Sequence, residues 1–121
     1  MNWQRLRLSF YFAWEGLKDA YKNEQNFKLH LAAGSIVVGA GFFFKVSQFE
    51  WLVLIAVITG ILSLELVNTA IERSIDLITS DRHPLAKKAK DASAAAVFLF
   101  SLGAVIIGIV IFIPKILTWL L

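Results

Sequence analysis

The sequence contains no cysteine, so it has no disulfide framework, no thiolate metal site and no cysteine nucleophile. Charged residues are also scarce: they make up 17% of the 121 residues, against 58% for hydrophobic residues. A soluble domain of this size has too little interior to bury so many apolar side chains. The composition therefore predicts a small membrane protein of a single domain over residues 1–121.

Several recognition motifs are missing as well. Neither GxxxxGK[ST] nor GxGxxG occurs, and the seven glycines are scattered, so any nucleotide site is not a P-loop. The net charge of +3 does not predict nucleic-acid binding, because the chain has no arginine-rich tract and no zinc-finger spacing. The N-terminus has no uninterrupted apolar core and no small-residue cleavage site, so we expect no signal peptide.

The hydrophobic pattern predicts an all-α membrane protein with an N-terminal surface helix and three spans. Residues 1–28 carry apolar side chains at helical spacing, with aromatic residues beside lysine and arginine, which predicts an amphipathic helix in the membrane interface. We expect approximate spans at residues 29–44, 51–72 and 92–114. The first two reach the ~20 residues of a span only by including their polar ends.

Basic residues are unevenly distributed along the chain. Ten of the twelve fall within residues 1–28 and 73–91, and only Lys45 and Lys115 lie elsewhere. Because lysine and arginine are retained on the cytoplasmic side, this asymmetry predicts a cytoplasmic N-terminus and a cytoplasmic 73–91 segment. The turn at residues 45–50 and the C-terminus are then expected outside.

The second span ends in the polar stretch LSLELVNTAIERSID. On a helix, Glu65, Asn68, Glu72 and Asp76 fall within an arc of about 80°, and the rise from the first to the last is about 16 Å. They form a stripe with Glu65 deepest in the membrane. Helix capping or an oligomer contact would be the structural explanation, but ionisable groups inside a membrane are costly and usually mark a functional site.

The residue types in this stripe suit a hard cation such as Mg²⁺, which takes oxygen ligands. The segment HPLAKKAKD, residues 83–91, adds a cluster of lysines that would by itself be an ordinary cytoplasmic anchor. Together, oxygen ligands and lysines are typical of a site for a metal-bound polyphosphate. Glu24 would contribute another carboxylate if the N-terminal helix continues to it, and would be merely solvated if the helix ends first.

Three segments carry a family resemblance over nearly the whole chain: NEQNF, ELVNTAIERSID and HPLAKKAKDASAAAV. They resemble the small integral-membrane lipid kinases of bacteria, the prokaryotic diacylglycerol kinase and undecaprenol kinase family. The resemblance implies a homotrimer with composite sites in the bacterial cytoplasmic membrane. It also implies transfer of the γ-phosphoryl group of ATP to a lipid alcohol, with Mg²⁺.

The resemblance also implies roles for individual residues. Glu65 resembles the general base that takes the proton of the lipid hydroxyl, and Glu24 and Glu72 resemble the metal-bridging carboxylates, supported by Asn68. The positions implied as ATP-binding are Arg5, Glu24, Glu72, Asp76, Lys90 and Asp91. The positions implied as contacts of the lipid substrate are Arg5 and Glu65. His30 is a further candidate for lipid contact, although a lone histidine at a membrane edge is more often held by a hydrogen bond than catalytic.

Two positions depart from the best-known proteobacterial diacylglycerol kinase. Phe12 replaces a tyrosine near the nucleotide, so it supplies no hydroxyl, and His30 replaces a glutamate. The NFKLHL stretch resembles instead a branch, found largely in Gram-positive bacteria, that acts on undecaprenol. We therefore expect undecaprenol as the substrate, giving undecaprenyl phosphate, with diacylglycerol and phosphatidic acid as the alternative pair.

Two other classes of function fit an intramembrane carboxylate. Glu65 could be the relay of a small proton- or cation-coupled transporter, or the polar stripe could dock a partner in a non-catalytic membrane subunit. A transporter has little need for further carboxylates and lysines at the cytoplasmic edge, and three spans contain no inverted repeat. These considerations favour the enzyme.

Overall fold

The computed structural model describes all residues 1–121 and consists of four α-helices with no strand. The helices are α1 (Trp3–Asn23), α2 (Gln25–Phe43), α3 (Gln48–Ile78) and α4 (Pro84–Leu120). The predicted all-α fold is therefore confirmed.

Side chains at the helix starts explain where three of the helices begin. Asn2 accepts a hydrogen bond from the backbone N–H of Arg5 at the start of α1, which satisfies one otherwise unpaired donor of the first turn. Ser47 and Glu50 form a reciprocal capping box at the start of α3. Pro84 occupies the first turn of α4, where its missing N–H costs no helical hydrogen bond.

Helices α2, α3 and α4 are each long and apolar enough to cross a membrane. They contain 19, 31 and 37 residues, respectively. At 1.5 Å per residue, α3 and α4 are roughly 46 and 55 Å long, well beyond the ~30 Å of a hydrocarbon core. Both helices therefore continue past the apolar layer, and the extra turns of α3 carry the polar stripe.

The N-terminal helix ends earlier than the predicted single helix over residues 1–28. It stops at Asn23, and Glu24 has an extended backbone (φ −109°, ψ 110°) that joins α1 to α2. The physical reason is a change of surroundings. The apolar residues of α1 lie on one stripe, which suits a membrane surface, whereas the chain after Phe27 is apolar on all sides and suits the membrane core. Lys28 thus belongs to α2.

The central helix is α3, which packs against α4, α2 and α1. A small apolar core of Val46, Leu54 and Ile111 joins α3 to α4 and to the turn after α2. Only ten of the 121 residues are buried, so most apolar side chains face outward. Outward apolar faces are expected of helices whose solvent is hydrocarbon, and the few buried polar residues stand out against them.

Candidate functional site

Glu65 is the most deeply buried charged residue, with 5% of its surface exposed. It lies on α3, and its Oε1 is 3.1 Å from Nε2 of His30 on α2. Gly34 explains how α2 comes so close, because a Cβ at that position would lie 3.0 Å from Cγ2 of Ile58 on α3. Gly34 follows His30 by one helical turn, so the close approach brings the imidazole to the carboxylate.

A chain of polar side chains links α4 to the stripe on α3. Ser93 donates its hydroxyl hydrogen to Oδ1 of Asn68 at 2.7 Å, and Nδ2 of Asn68 donates to Oε1 of Glu72 at 3.4 Å. Because a carboxylate only accepts, the amide nitrogen faces Glu72, and Ser93 donates to the amide oxygen at the other end. These two hydrogen bonds orient the side chain of Glu72, which lies about two helical turns outward from Glu65.

Arg73 connects the joint between α1 and α2 to α3. Its guanidinium donates to Asp19 on α1, and its Nη2 donates to Oε1 of Glu24 at 3.1 Å. Hydrogen bonds from Arg73, and then from Asn23, lower the pKa of Asp19 below its ordinary value of 3.8. Arg73 thereby brings Glu24 to α3 even though the N-terminal helix ends before it.

The far end of the stripe opens into a cleft of about 620 Å³ formed by the end of α3, the following loop and the start of α4. Lys90 on α4 pairs with Asp76 on α3 at 2.5 Å, and Lys87 pairs with Asp91 one turn along α4 at 2.6 Å. Arg82 also lines the cleft. These groups give it a mixed lining of carboxylates and exposed cations.

The structure brings together most of the predicted site residues. Glu65, Asn68, Glu72 and Asp76 follow one another along α3, and Lys90 and Asp91 border its outer end. Arg5 is not among them in a single chain. It is exposed near the start of α1 and lies about 21 Å along the helix axis from Asp19.

The sequence did not predict four contacts: the His30–Glu65 pair, the Ser93–Asn68 bond and the two bonds of Arg73. His30 was a candidate either for lipid contact or for a hydrogen bond at the membrane edge, without a named partner, and Arg73 was counted only toward membrane orientation. The position of Arg73 beside Glu72 was a signal that it could reach the same site. Nothing in the sequence singled out Ser93 from the other small residues at the start of α4.

The donor set fits a magnesium ion bound together with phosphate. No three histidine or acidic side chains converge on one point in this chain, but Mg²⁺ in kinases commonly takes only one or two carboxylates, with phosphate and water completing its shell. Asn68 donates only to Oε1 of Glu72, and that carboxylate has no cationic partner within the chain.

The fold and the site define a small helical membrane protein whose candidate site residues gather at one end of the spans. Residues 11–112 match the family described as prokaryotic diacylglycerol kinase. The chain therefore belongs to the prokaryotic diacylglycerol kinase family, as its resemblance predicted. Since kinases take their phosphoryl group from ATP, the chain is a kinase with ATP as co-substrate and a lipid as acceptor.

Individual relatives span most of the chain. An undecaprenol kinase of Bacillus subtilis is 48% identical over 107 residues, covering 88% of this chain and 87% of that protein. A diacylglycerol kinase of Synechocystis sp. is 36% identical over 120 residues, covering 96% of this chain and 69% of that protein. A diacylglycerol kinase of Haemophilus influenzae is 34% identical over 99 residues, with coverages of 82% and 81%.

Proposed function

We propose that this protein phosphorylates undecaprenol, transferring the γ-phosphoryl group of ATP to the lipid hydroxyl. The buried Glu65 at the inner end of a polar stripe carries the proposal for the chemistry, because it is a carboxylate where a membrane lipid can bring its head group. The 48% identity to an undecaprenol kinase, against 33–36% for diacylglycerol kinases, supports undecaprenol as the lipid.

Glu65 acts in this proposal as the general base. Its Oε1 contacts His30, which leaves Oε2 to accept the proton of the lipid hydroxyl as the oxygen attacks the γ-phosphorus. Glu65 keeps 5% of its surface exposed, so it is not fully enclosed by the chain. A base positioned in this way contributes about 10²- to 10⁴-fold to a rate.

Glu72 and Glu24 are the proposed holders of Mg²⁺, with Asn68 orienting Glu72. When bound, the ion neutralises the charge that develops on the phosphoryl oxygens. Lys90 and its neighbours Asp76 and Asp91 border the cleft proposed for the nucleotide. Arg5 is a further proposed contact of both the nucleotide and the lipid.

Oligomeric state and orientation belong to the same proposal. The side chain of Arg5 is exposed and makes no ion pair with the polar stripe within the chain, which is consistent with a homotrimer whose sites combine residues of neighbouring subunits. The basic segments 1–28 and 73–91 support a cytoplasmic site in a bacterial inner membrane. Residues 1–121 then form one lipid-kinase domain.

Diacylglycerol is the second candidate substrate, because several relatives are diacylglycerol kinases. The transporter and docking-subunit interpretations lose their basis with membership of a kinase family. The deciding experiment follows ³²P from [γ-³²P]ATP into lipid, using purified protein in mixed micelles with undecaprenol or diacylglycerol, with and without Mg²⁺. We expect the faster label in undecaprenol and none without Mg²⁺. No label in either lipid would refute the kinase proposal.

The base assignment has its own test in Glu65→Gln. The amide keeps the size of the side chain but accepts no proton, so we expect kcat to fall by about 10²- to 10⁴-fold. Mg-ATP affinity should stay within about twofold, because Glu65 lies inward of the proposed nucleotide contacts. Glu15→Gln is the matched control: Glu15 sits on the exposed face of α1, paired with Lys18. Near-normal turnover in Glu65→Gln would show that another group is the base.

A further inference from the structure

The contact between His30 and Glu65 is the only ion pair or side-chain hydrogen bond that joins α2 to α3. The two side chains differ in burial: 28% of the His30 side chain is exposed, against 6% for Glu65. His30 therefore stands between the buried carboxylate and the outside of the chain. Apart from this imidazole, no cationic side chain lies within ion-pair distance of Glu65.

A carboxylate in such surroundings needs a partner. Removing a charge from water is costly unless hydrogen bonds and an opposite charge compensate. His30 Nε2 lies 3.1 Å from Oε1, and because a carboxylate has no hydrogen to donate, a hydrogen bond at this contact can be donated only by Nε2. A hydrogen bond to one oxygen also restricts rotation of the carboxylate, so the other oxygen points in a defined direction.

We propose that His30 is a positioning residue for Glu65, holding Oε1 through its Nε2–H so that Oε2 faces the lipid hydroxyl. The inference rests on the proposed function, in which Glu65 is the base. It assigns to His30 a role on the carboxylate, distinct from the contact with lipid for which His30 was a candidate. The proton of the lipid hydroxyl goes to Oε2, and His30 transfers none.

Three substitutions of His30 distinguish the effect of losing the N–H donor from the effect of losing the imidazole ring. The side-chain nitrogen of glutamine reaches about as far as Nε2 of histidine, whereas that of asparagine reaches only as far as Nδ1. His30→Gln should therefore keep most of the wild-type kcat, while His30→Asn and His30→Leu should lower it by about 10- to 100-fold, the range expected for small misplacements of a reacting group. The KM for Mg-ATP should remain within about twofold in all three.

A double substitution tests whether His30 acts through Glu65. If it does, adding His30→Leu to Glu65→Gln should lower kcat by less than about twofold more, because the base is already lost and residues that act as a unit are not additive. If the two effects multiply, His30 acts on something other than Glu65, and the inference is overturned. A purely structural role for His30 would also give multiplied effects.

The experiment distinguishes the failure of this inference from the failure of the proposed function. A wild-type protein that labels no lipid refutes the function itself. A wild-type protein that labels lipid, together with an equally active His30→Leu, refutes only the positioning role. Thermal unfolding in detergent identifies variants that do not fold. If His30→Leu does not fold, the comparison of His30→Gln with His30→Asn still tests the positioning role. Equal kcat values in these two variants overturn the inference.

Discussion

Ser93→Ala is the most direct probe of the hydrogen-bond chain that holds Glu72. The substitution removes the hydroxyl that donates to Oδ1 of Asn68 at 2.7 Å and leaves the fold of α4 otherwise unchanged. Without that donor, Asn68 loses its link to α4 and is held toward Glu72 only by the bond from its own Nδ2. At 3.4 Å that bond is longer than the usual range for N–H···O hydrogen bonds, so Asn68 orients Glu72 less firmly.

The expected size follows from the one hydrogen bond lost. A net contribution of about 0.5–1.5 kcal/mol corresponds to about a 2- to 13-fold change in an equilibrium constant at 25 °C. If Glu72 holds Mg²⁺ as proposed, the Mg²⁺ concentration for half-maximal activity should rise by that factor. Turnover at saturating Mg²⁺ should recover to near the wild-type value, because the bound ion would then itself hold the Glu72 carboxylate in place.

The assay is a Mg²⁺ titration of lipid phosphorylation at fixed free ATP, with Ser74→Ala as the matched control. Ser74 is exposed on α3, and its hydroxyl donates to the backbone carbonyl of Ala70 within the same helix. Its loss should not move the Mg²⁺ midpoint. An unchanged midpoint in Ser93→Ala, or a lower kcat that saturating Mg²⁺ does not restore, would refute the reasoning.

Two further predictions concern helix packing and pH. In Gly34→Leu, contact of the new side chain with Ile58 should push α2 away from α3, which should lower both kcat and the free energy of unfolding, the latter by about 1–3 kcal/mol. Steric trapping measures the free energy of unfolding. If adding Ile58→Ala restores none of the lost stability, the clash with Ile58 is not the cause. Because the pKa of Asp19 is lowered in the folded chain, its bond to Arg73 should hold above pH 3.8 and be lost as the pH falls through that lower pKa. Hydrogen exchange of α1 should show this acid step in the wild type and not in Asp19→Asn.

The polar stripe was predictable because it depends only on the period of one helix. Glu65, Asn68, Glu72 and Asp76 lie on one face of any continuous helix through residues 65–76. The number of helices followed from apolar length in the same way. Both are local properties, so neither required knowledge of how the helices pack.

The contacts between helices were not predictable from one sequence. Whether His30 meets Glu65 depends on the separation and rotation of α2 and α3, which Gly34 and Ile58 set together. The end of α1 was missed because the amphipathic pattern fades gradually around residues 24–28, and nothing there marks the bend sharply. The extended Glu24 at that bend is nevertheless what allows its carboxylate to turn back to Arg73.

The charge pairing explains how so small a chain holds several carboxylates at a membrane edge. Asp76 pairs with Lys90, Glu24 with Arg73, and Glu65 contacts His30. Among the carboxylates proposed for the site, Glu72 alone has no lysine, arginine or histidine partner and contacts only the amide of Asn68. Unpaired charge near hydrocarbon is costly, so Glu72 gains most from a cation.

If the site binds Mg-ATP as proposed, the ligand would bring both signs of charge to residues that are already paired. The lysine and arginine donors could then bind its phosphates, and the carboxylates that those donors leave would be the ones to hold the metal. Such an exchange of ion pairs would leave no lone charge near the membrane, where lone charges are penalised. Glu24 would leave Arg73 only when a metal is present to compensate its charge. Metal and nucleotide should therefore bind cooperatively to this site, each weakly without the other.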